Sequence, residues 1–249
     1  MKLSLTELER YDRQIRIEGL GKSGQLKLKK ARVIVAGASG LGCPALLYLV
    51  AAGIGYVAVV DTENVELSNL NREVLHWSGD VGRFKGVSII EKLRQLNPEA
   101  TVEAFQKAIT ADNARQLVNG FTVVVDGLDN WRTRFLLNKA CVKEEIPFVH
   151  AGVYSLYGQI TTILPRKGPC LQCILPKIPP EEEKLPVLGA TAGTLGLLEA
   201  LETIKIITGL GEPLVGRMLH FDGETMSFQE IRVERRRGCH VCGSNKSYS

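Results

Sequence analysis

Residues 33–60 form a run of 28 residues with no charged side chain. A run of that length could cross a bilayer as one helix. Gly37, Gly40, Gly42, Pro44, Gly53 and Gly55 exclude this by dividing it into strand, turn, helix, turn and strand. Neither strand is long enough to span a membrane. The first, Arg32–Ala36, is apolar on both faces, the pattern of a strand covered by helices on both sides. A chain whose core starts this way is constrained to a layered α/β fold. A soluble, cytoplasmic protein is expected, since the charged N-terminal residues carry no apolar signal segment.

The alternation continues along the chain. A helix is predicted over 40–52 and a strand over Tyr56–Asp61, then a helix over 82–96 stopped by Asn97-Pro98. Short strands follow over 102–105 and 122–126, a helix over 130–144 and a strand from Pro147. Ahead of the core, 4–18 reads as a polar helix and 25–31 as the basic end of another. This order predicts a Rossmann-like, doubly wound α/β sheet, parallel in the N-terminal half. After residue 150, polar positions interleave with apolar ones over 157–164, Arg217–Asp222 and 228–234. Those segments predict antiparallel strands continuing the sheet, with a helix over 194–208 among them. Segment 176–188 holds four prolines and the acids Glu181, Glu182 and Glu183, and is expected to be an exposed, mobile loop. With 249 residues, 45% of them hydrophobic, one core can form without staples. A single domain over 1–249 is expected, with a nucleotide-binding half over 1–150 and a second half over 151–243.

Gly37-Ala-Ser-Gly40-Leu-Gly42 follows the first strand and opens a helix. Glycines permit a tight turn and close approach of a phosphate, and a helix N-terminus offers free N–H groups and the positive end of its dipole. Asp61 closes the next strand 24 residues after Gly37, where an acid can hydrogen-bond ribose hydroxyls. Taken alone, the turn favours NAD over other nucleotides, although Ser39 at its third position departs from the dinucleotide fingerprint.

The residues after Asp61 change the balance. Ser68, Asn69 and Arg72 come next, and Lys85 lies in a Gly82-Arg-Phe-Lys85 segment at a helix start. An arginine can grip phosphate oxygens bidentately and a lysine supplies a point charge. Asp126 and Asp129 sit at the carboxyl end of a later strand, where open α/β sheets bind ligands. An aspartate beside a triphosphate is a natural Mg²⁺ ligand. Taken one at a time, each reads more readily as a solvated loop charge; only their convergence around one crevice would favour a site.

Tyr11-Asp-Arg-Gln14, the glycine turn, Asp61, Ser68-Asn-Leu-Asn-Arg72, Gly82-Arg-Phe-Lys85 and Asp126-Gly-Leu-Asp-Asn130 together resemble the ubiquitin-activating superfamily, specifically its prokaryotic MoeB/ThiF/HesA branch. The resemblance runs from about residue 5 to residue 243. It implies an ATP-dependent adenylyltransferase that activates the C-terminal carboxylate of a ubiquitin-like sulfur carrier ending in Gly-Gly. Gly37, Gly40, Gly42 and Asp61 would then hold the phosphates and ribose, with Ser68 and Asn130 lining the site. Asn69, Arg72 and Lys85 would grip the triphosphate, and Asp129 would bind Mg²⁺. Arg13 would reach the site from the other subunit of a homodimer. The family's turn has glycine where Ser39 stands, a departure that matters only if the backbone there needs a positive φ.

Cys170-Leu-Gln-Cys173 and Cys239-His-Val-Cys242 have the spacing of a four-thiolate structural zinc site, and this also matches the family pattern. Redox CxxC motifs or free thiols are the alternatives. Cys43 and Cys141 read as small buried hydrophobes. Segment 176–188 contains no cysteine, so adenylation without an enzyme thioester is expected, with the acyl adenylate passing to a sulfurtransferase or cysteine desulfurase. The carrier surface is expected on 176–188 and 157–164; Arg132, Arg134 and Lys184 either meet an acidic partner or form a solvated face. The net charge of +4 is too small to argue for nucleic acid. An NAD-dependent oxidoreductase, a non-catalytic module docking a ubiquitin-like protein and an enzyme dehydrating a modified tRNA adenosine are the competing functions.

Overall fold

The structure is a computed structural model and describes residues 2–180 and 185–243. Glu181, Glu182, Glu183 and Lys184 lie outside the described residues. Eight strands form one sheet in the order β3-β2-β1-β4-β5-β6-β7-β8. They are β1 Arg32–Ala36, β2 Tyr56–Asp61, β3 Thr101–Gln106, β4 Val123–Asp126, β5 Phe148–Tyr154, β6 Tyr157–Ile163, β7 Arg217–Asp222 and β8 Ser227–Arg232. The first five are parallel; β6, β7 and β8 pair antiparallel.

The helices are α1 Leu5–Arg10, α2 Asp12–Ile15, α3 Gly21–Lys30, α4 Gly42–Ala51, α5 Lys85–Leu96, α6 Ala114–Val118, α7 Trp131–Glu144, α8 Leu171–Ile174 and α9 Gly189–Thr208. The uncharged run is β1, a turn, α4 and β2, and no described helix is long and apolar enough to cross a membrane. Period-two alternation decides which residues face which layer. Val33, Val35, Val57, Val59 and Val125 pack on one side with Leu46 and Leu49 of α4 and Leu195 of α9. Ile34, Ala58, Val124 and Phe148 pack on the other with Phe135 and Cys141 of α7.

Three predicted helices differ from those observed. The one over 4–18 breaks at Tyr11, which is buried and whose hydroxyl accepts from Asn97 Nδ2 at 2.8 Å. The one over 82–96 starts only at Lys85, because Arg83 still belongs to a turn in which its N–H donates to the Asp80 carbonyl. The one over 194–208 begins five residues early, at Gly189, where a Cβ would meet the Asn71 carbonyl oxygen at 2.3 Å. That contact seats the start of α9 against the segment carrying Arg72.

Candidate functional site

The carboxyl ends of β1, β2 and β4 open onto a cleft of about 730 Å³. Its tight floor is made by glycines. Gly37 has φ +100°, and a Cβ on it would meet the Gly127 carbonyl oxygen at 2.1 Å. A Cβ on Gly42 would meet the Gly37 carbonyl oxygen at 2.0 Å, so Gly42 packs the turn from behind and does not line the cleft. Ser39 has no positive φ. Its Oγ donates to the Gly127 carbonyl at 2.7 Å and accepts from the Leu41 N–H at 3.2 Å. The serine thus ties the turn to the end of β4.

Asp61 closes β2, and its two carboxylate oxygens accept from the N–H groups of Ala38 and Glu63 at 2.7 and 2.8 Å. A single-turn 3₁₀ helix, Leu67–Asn69, follows, with Asn69 Oδ1 accepting from the Glu66 N–H. Arg72 Nη1 donates to the Ser68 carbonyl at 2.9 Å and to Asn71 Oδ1 at 3.2 Å. Lys85, at the start of α5, is only 2% exposed. Its Nζ lies 2.8 Å from Glu63 Oε2 and 3.0 Å from Glu73 Oε2. Burial pushes Glu73 up to about 7, while Lys85 pulls it the other way. Burial lowers Lys85, but Glu73 and Glu63 outweigh it and hold the ammonium at about 12.

Asp129 and Asn130 complete the cleft from the β4–α7 junction, and Asn130 also caps α7 by accepting from the Thr133 N–H at 2.9 Å. Gly37, Gly40, Asp61, Ser68, Asn69, Arg72, Lys85, Asp129 and Asn130 therefore line one cavity. Arg13 does not; it is exposed on α2. Glu63, Glu73 and Lys107 also line the cleft and escaped the sequence reading. Lys107 follows β3 directly, so the rule that ligands sit at strand ends could have found it. No sequence signal marked Glu73.

Asp126 and Arg134 behave differently from their predicted roles. Asp126 is fully buried, accepting from Arg134 Nε at 3.1 Å and from His150 Nδ1 at 2.5 Å. Burial opposes its ionisation, but Arg134 and His150 prevail and its pKa is lowered. Arg134 is buried at 5% exposure, so it is not a surface contact for an acidic partner. It stands where the cleft meets a second cavity of about 550 Å³, which it lines with Asp129, Asn130, Tyr154, Tyr157, Pro179, Pro180 and Leu185.

The four paired cysteines converge in the core layer that holds Ile34, Val124 and Phe148. All are buried and their Sγ atoms lie within 4.8 Å of one another, with Cys170–Cys239 at 3.7 Å and Cys173–Cys242 at 3.3 Å. Four thiolates at ~2.3 Å from one tetrahedral ion stand ~3.8 Å apart, so the set fits zinc. The Arg236 N–H donates to Cys173 Sγ at 3.4 Å, a contact that suits a thiolate ligand.

Two comparisons of sequence and one of structure agree with this geometry. The ThiF family model matches residues 11–241. The chain is 45% identical over 247 residues to the adenylyltransferase and sulfurtransferase MOCS3 of Anopheles gambiae, covering 97% of this chain and 56% of that protein. It therefore spans little more than half the length of that relative. It is 42% identical over 248 residues to the SAMP-activating enzyme E1 of Haloferax volcanii, covering 98% of this chain and 92% of that one. A crystal structure of E. coli MccB with AMPCPP and selenomethionine MccA superposes with a TM-score of 0.86 at 25% identity, over 96% of this chain and 75% of MccB. The cleft, the paired cysteines and these matches together make the chain a member of the ThiF family.

Proposed function

We propose that this chain adenylates the C-terminal carboxylate of a small ubiquitin-like sulfur carrier with ATP. The observation that carries the reading is the convergence of Asp61, Asn69, Arg72, Lys85 and Asp129 on one cleft. An NAD-dependent oxidoreductase has no need of that cationic set, and membership of the ThiF family counts against it. The MOCS3 and SAMP-activating relatives carry names of the same activity.

In this reading Asp61 holds the ribose, and Gly37 and Gly40 let the phosphates lie against the turn. The carrier carboxylate attacks the α-phosphorus and pyrophosphate leaves. Arg72, Lys85 and Asn69 neutralise and orient the leaving phosphates, which is most of what such a transfer asks of a protein. Asp129 is the residue that would hold Mg²⁺, which screens phosphate charge when bound. Arg13 completes the site from the second subunit of a homodimer.

The second cavity is the path for the carrier's tail. It shares Asp129, Asn130, Arg134, Val153 and Leu185 with the cleft, and Tyr154, Tyr157, Pro179 and Pro180 give it apolar walls. A Gly-Gly tail, with no side chains, is narrow enough to follow it. Cys43 and Cys141 are fully buried, and burial pushes the Cys43 thiol up to about 12, so neither suits a covalent role. The acyl adenylate is then released to an external sulfur donor, a sulfurtransferase or cysteine desulfurase. Zinc in the four-cysteine cluster is structural, since four protein thiolates leave no open position.

ATP–pyrophosphate exchange against a panel of Gly-Gly carriers tests this. Exchange is expected with at least one carrier and not with the same carrier lacking its last glycine. A protein that binds ATP yet exchanges with none would overturn the reading.

A further inference from the structure

Lys85 is held by two carboxylates of unlike character. The Glu73 side chain is 2% exposed and contacts Nζ through both oxygens, at 3.2 and 3.0 Å. The Glu63 side chain is 63% exposed and touches Nζ through one oxygen, at 2.8 Å. The backbone around Glu63 is fixed, because the Lys85 N–H donates to its carbonyl at 3.0 Å and its own N–H donates to Asp61. Only the Glu63 side chain is free to swing. Both carboxylates line the cleft, so a polyphosphate entering it meets a lysine already occupied.

The two contacts cannot yield equally. An exposed ion pair is weak, screened by water and easily exchanged. A buried carboxylate stripped of its cation must either stay charged in low dielectric or take up a proton, and either costs free energy that water cannot offset. His76 does not supply a second cation: its Nε2 is 3.6 Å from Glu73 Oε2, but burial and the Lys85 ammonium lower its pKa to about 4, leaving the ring neutral near pH 7. Glu73 therefore depends on Lys85, whereas Glu63 does not.

We propose that Glu73 is a positioning residue that holds Lys85 in the cleft, and that Glu63 stands in for a phosphate oxygen and leaves the lysine when polyphosphate arrives. This rests on the reading that the cleft binds ATP. It deepens that reading by giving the empty and loaded sites different partners for one ammonium. Glu63 would also weaken binding of any lone anion, since each must first displace it.

Inorganic triphosphate tests the exchange without requiring adenylation or a carrier. By calorimetry on the full chain, Glu63→Gln is expected to bind triphosphate about two- to fivefold more tightly than the unmodified protein, the factor by which an exposed pair competes. Unchanged or weaker binding would overturn the stand-in role. The ¹⁵N resonance of the Lys85 ammonium, assigned by its loss in Lys85→Arg, reads the positioning role. It should persist in Glu63→Gln, held by Glu73, and broaden away in Glu73→Gln. Loss of the resonance in Glu63→Gln would overturn that role even if Glu73→Gln fails to fold. Failure of carrier-dependent exchange with both of these results intact would sink only the adenylation reading.

Discussion

The cleft at the strand ends and the four-cysteine cluster lie in the same chain but are built on different terms. In the cleft, some charges are held by contacts a few residues apart, such as Arg72 to the Ser68 carbonyl and Asp61 to the Glu63 N–H, while the buried Lys85 is held by Glu63 and Glu73 from farther along the chain. In the cluster, pairs separated by 66 residues between Cys173 and Cys239 meet with all four thiols buried. In the proposed reading, the cleft is a site for a ligand that comes and goes, and a metal held by the cluster would crosslink distant parts of the fold. Substitutions in the cleft should therefore separate activity from stability, and substitutions in the cluster should not.

The largest effect is expected in the cluster. Structural zinc supplies on the order of 10 kcal/mol of apparent folding free energy in small metal domains. Cys170→Ser, or removal of metal by a strong chelator, should lower Tm by more than 10 °C and release about one zinc per chain. A chelated protein that holds its Tm would make the cluster a set of free thiols and erase the contrast.

Next comes the cleft. Arg72→Ala should cut carrier-dependent pyrophosphate exchange by about 10²–10³-fold, roughly 3–4 kcal/mol of barrier, with Tm within ~2 °C of the unmodified protein. A matching fall in Tm would show that Arg72 is part of the scaffold. Arg13 sharpens the same point because it is exposed and absent from its own chain's cleft. Arg13→Ala and Arg72→Ala proteins, each inactive alone, should regain about a quarter of full activity when mixed and allowed to exchange subunits. No recovery would place Arg13 outside the reaction.

The sequence revealed most of the cleft because its parts follow strand ends. The glycine turn after β1, Asp61 at the end of β2 and Asp129 beyond β4 each announce a βα junction. The CxxC pairs were equally visible, since metal spacing is a local signal. What stayed hidden was pairing across space. Nothing in the order of residues says that Glu73 would fold back onto Lys85, or that Arg134 would turn inward to Asp126. The break at Tyr11 was likewise unreadable, because the Asn97 that receives it lies 86 residues away. Helical propensity has no information about such a partner.

The smallest expected effect belongs to a residue in neither region. Glu199 of α9 is completely buried, and neither of its oxygens has a hydrogen-bond partner among the described residues. Burial raises its pKa well above 4.5, with Asp126 adding to the rise and Arg134 opposing it. A raised carboxyl stabilises the fold fully below the unfolded value, and that contribution is lost as pH climbs toward the folded value. Glu73, raised to about 7, acts in the same direction. Asp80, lowered to about 2 mainly by Lys92 and the Trp77 N–H against the effect of burial, acts oppositely and matters only in acid. Tm should thus decline from pH 5.5 to pH 8.5. Glu199→Gln removes one ionisable group without changing shape, so it should flatten that decline and raise Tm at pH 8.5 by about 2–4 °C for each kcal/mol recovered. Thermal melts of both proteins across that range decide it: parallel curves would mean that Glu199 keeps one charge state throughout, and the pH response would then belong to Glu73 in the cleft.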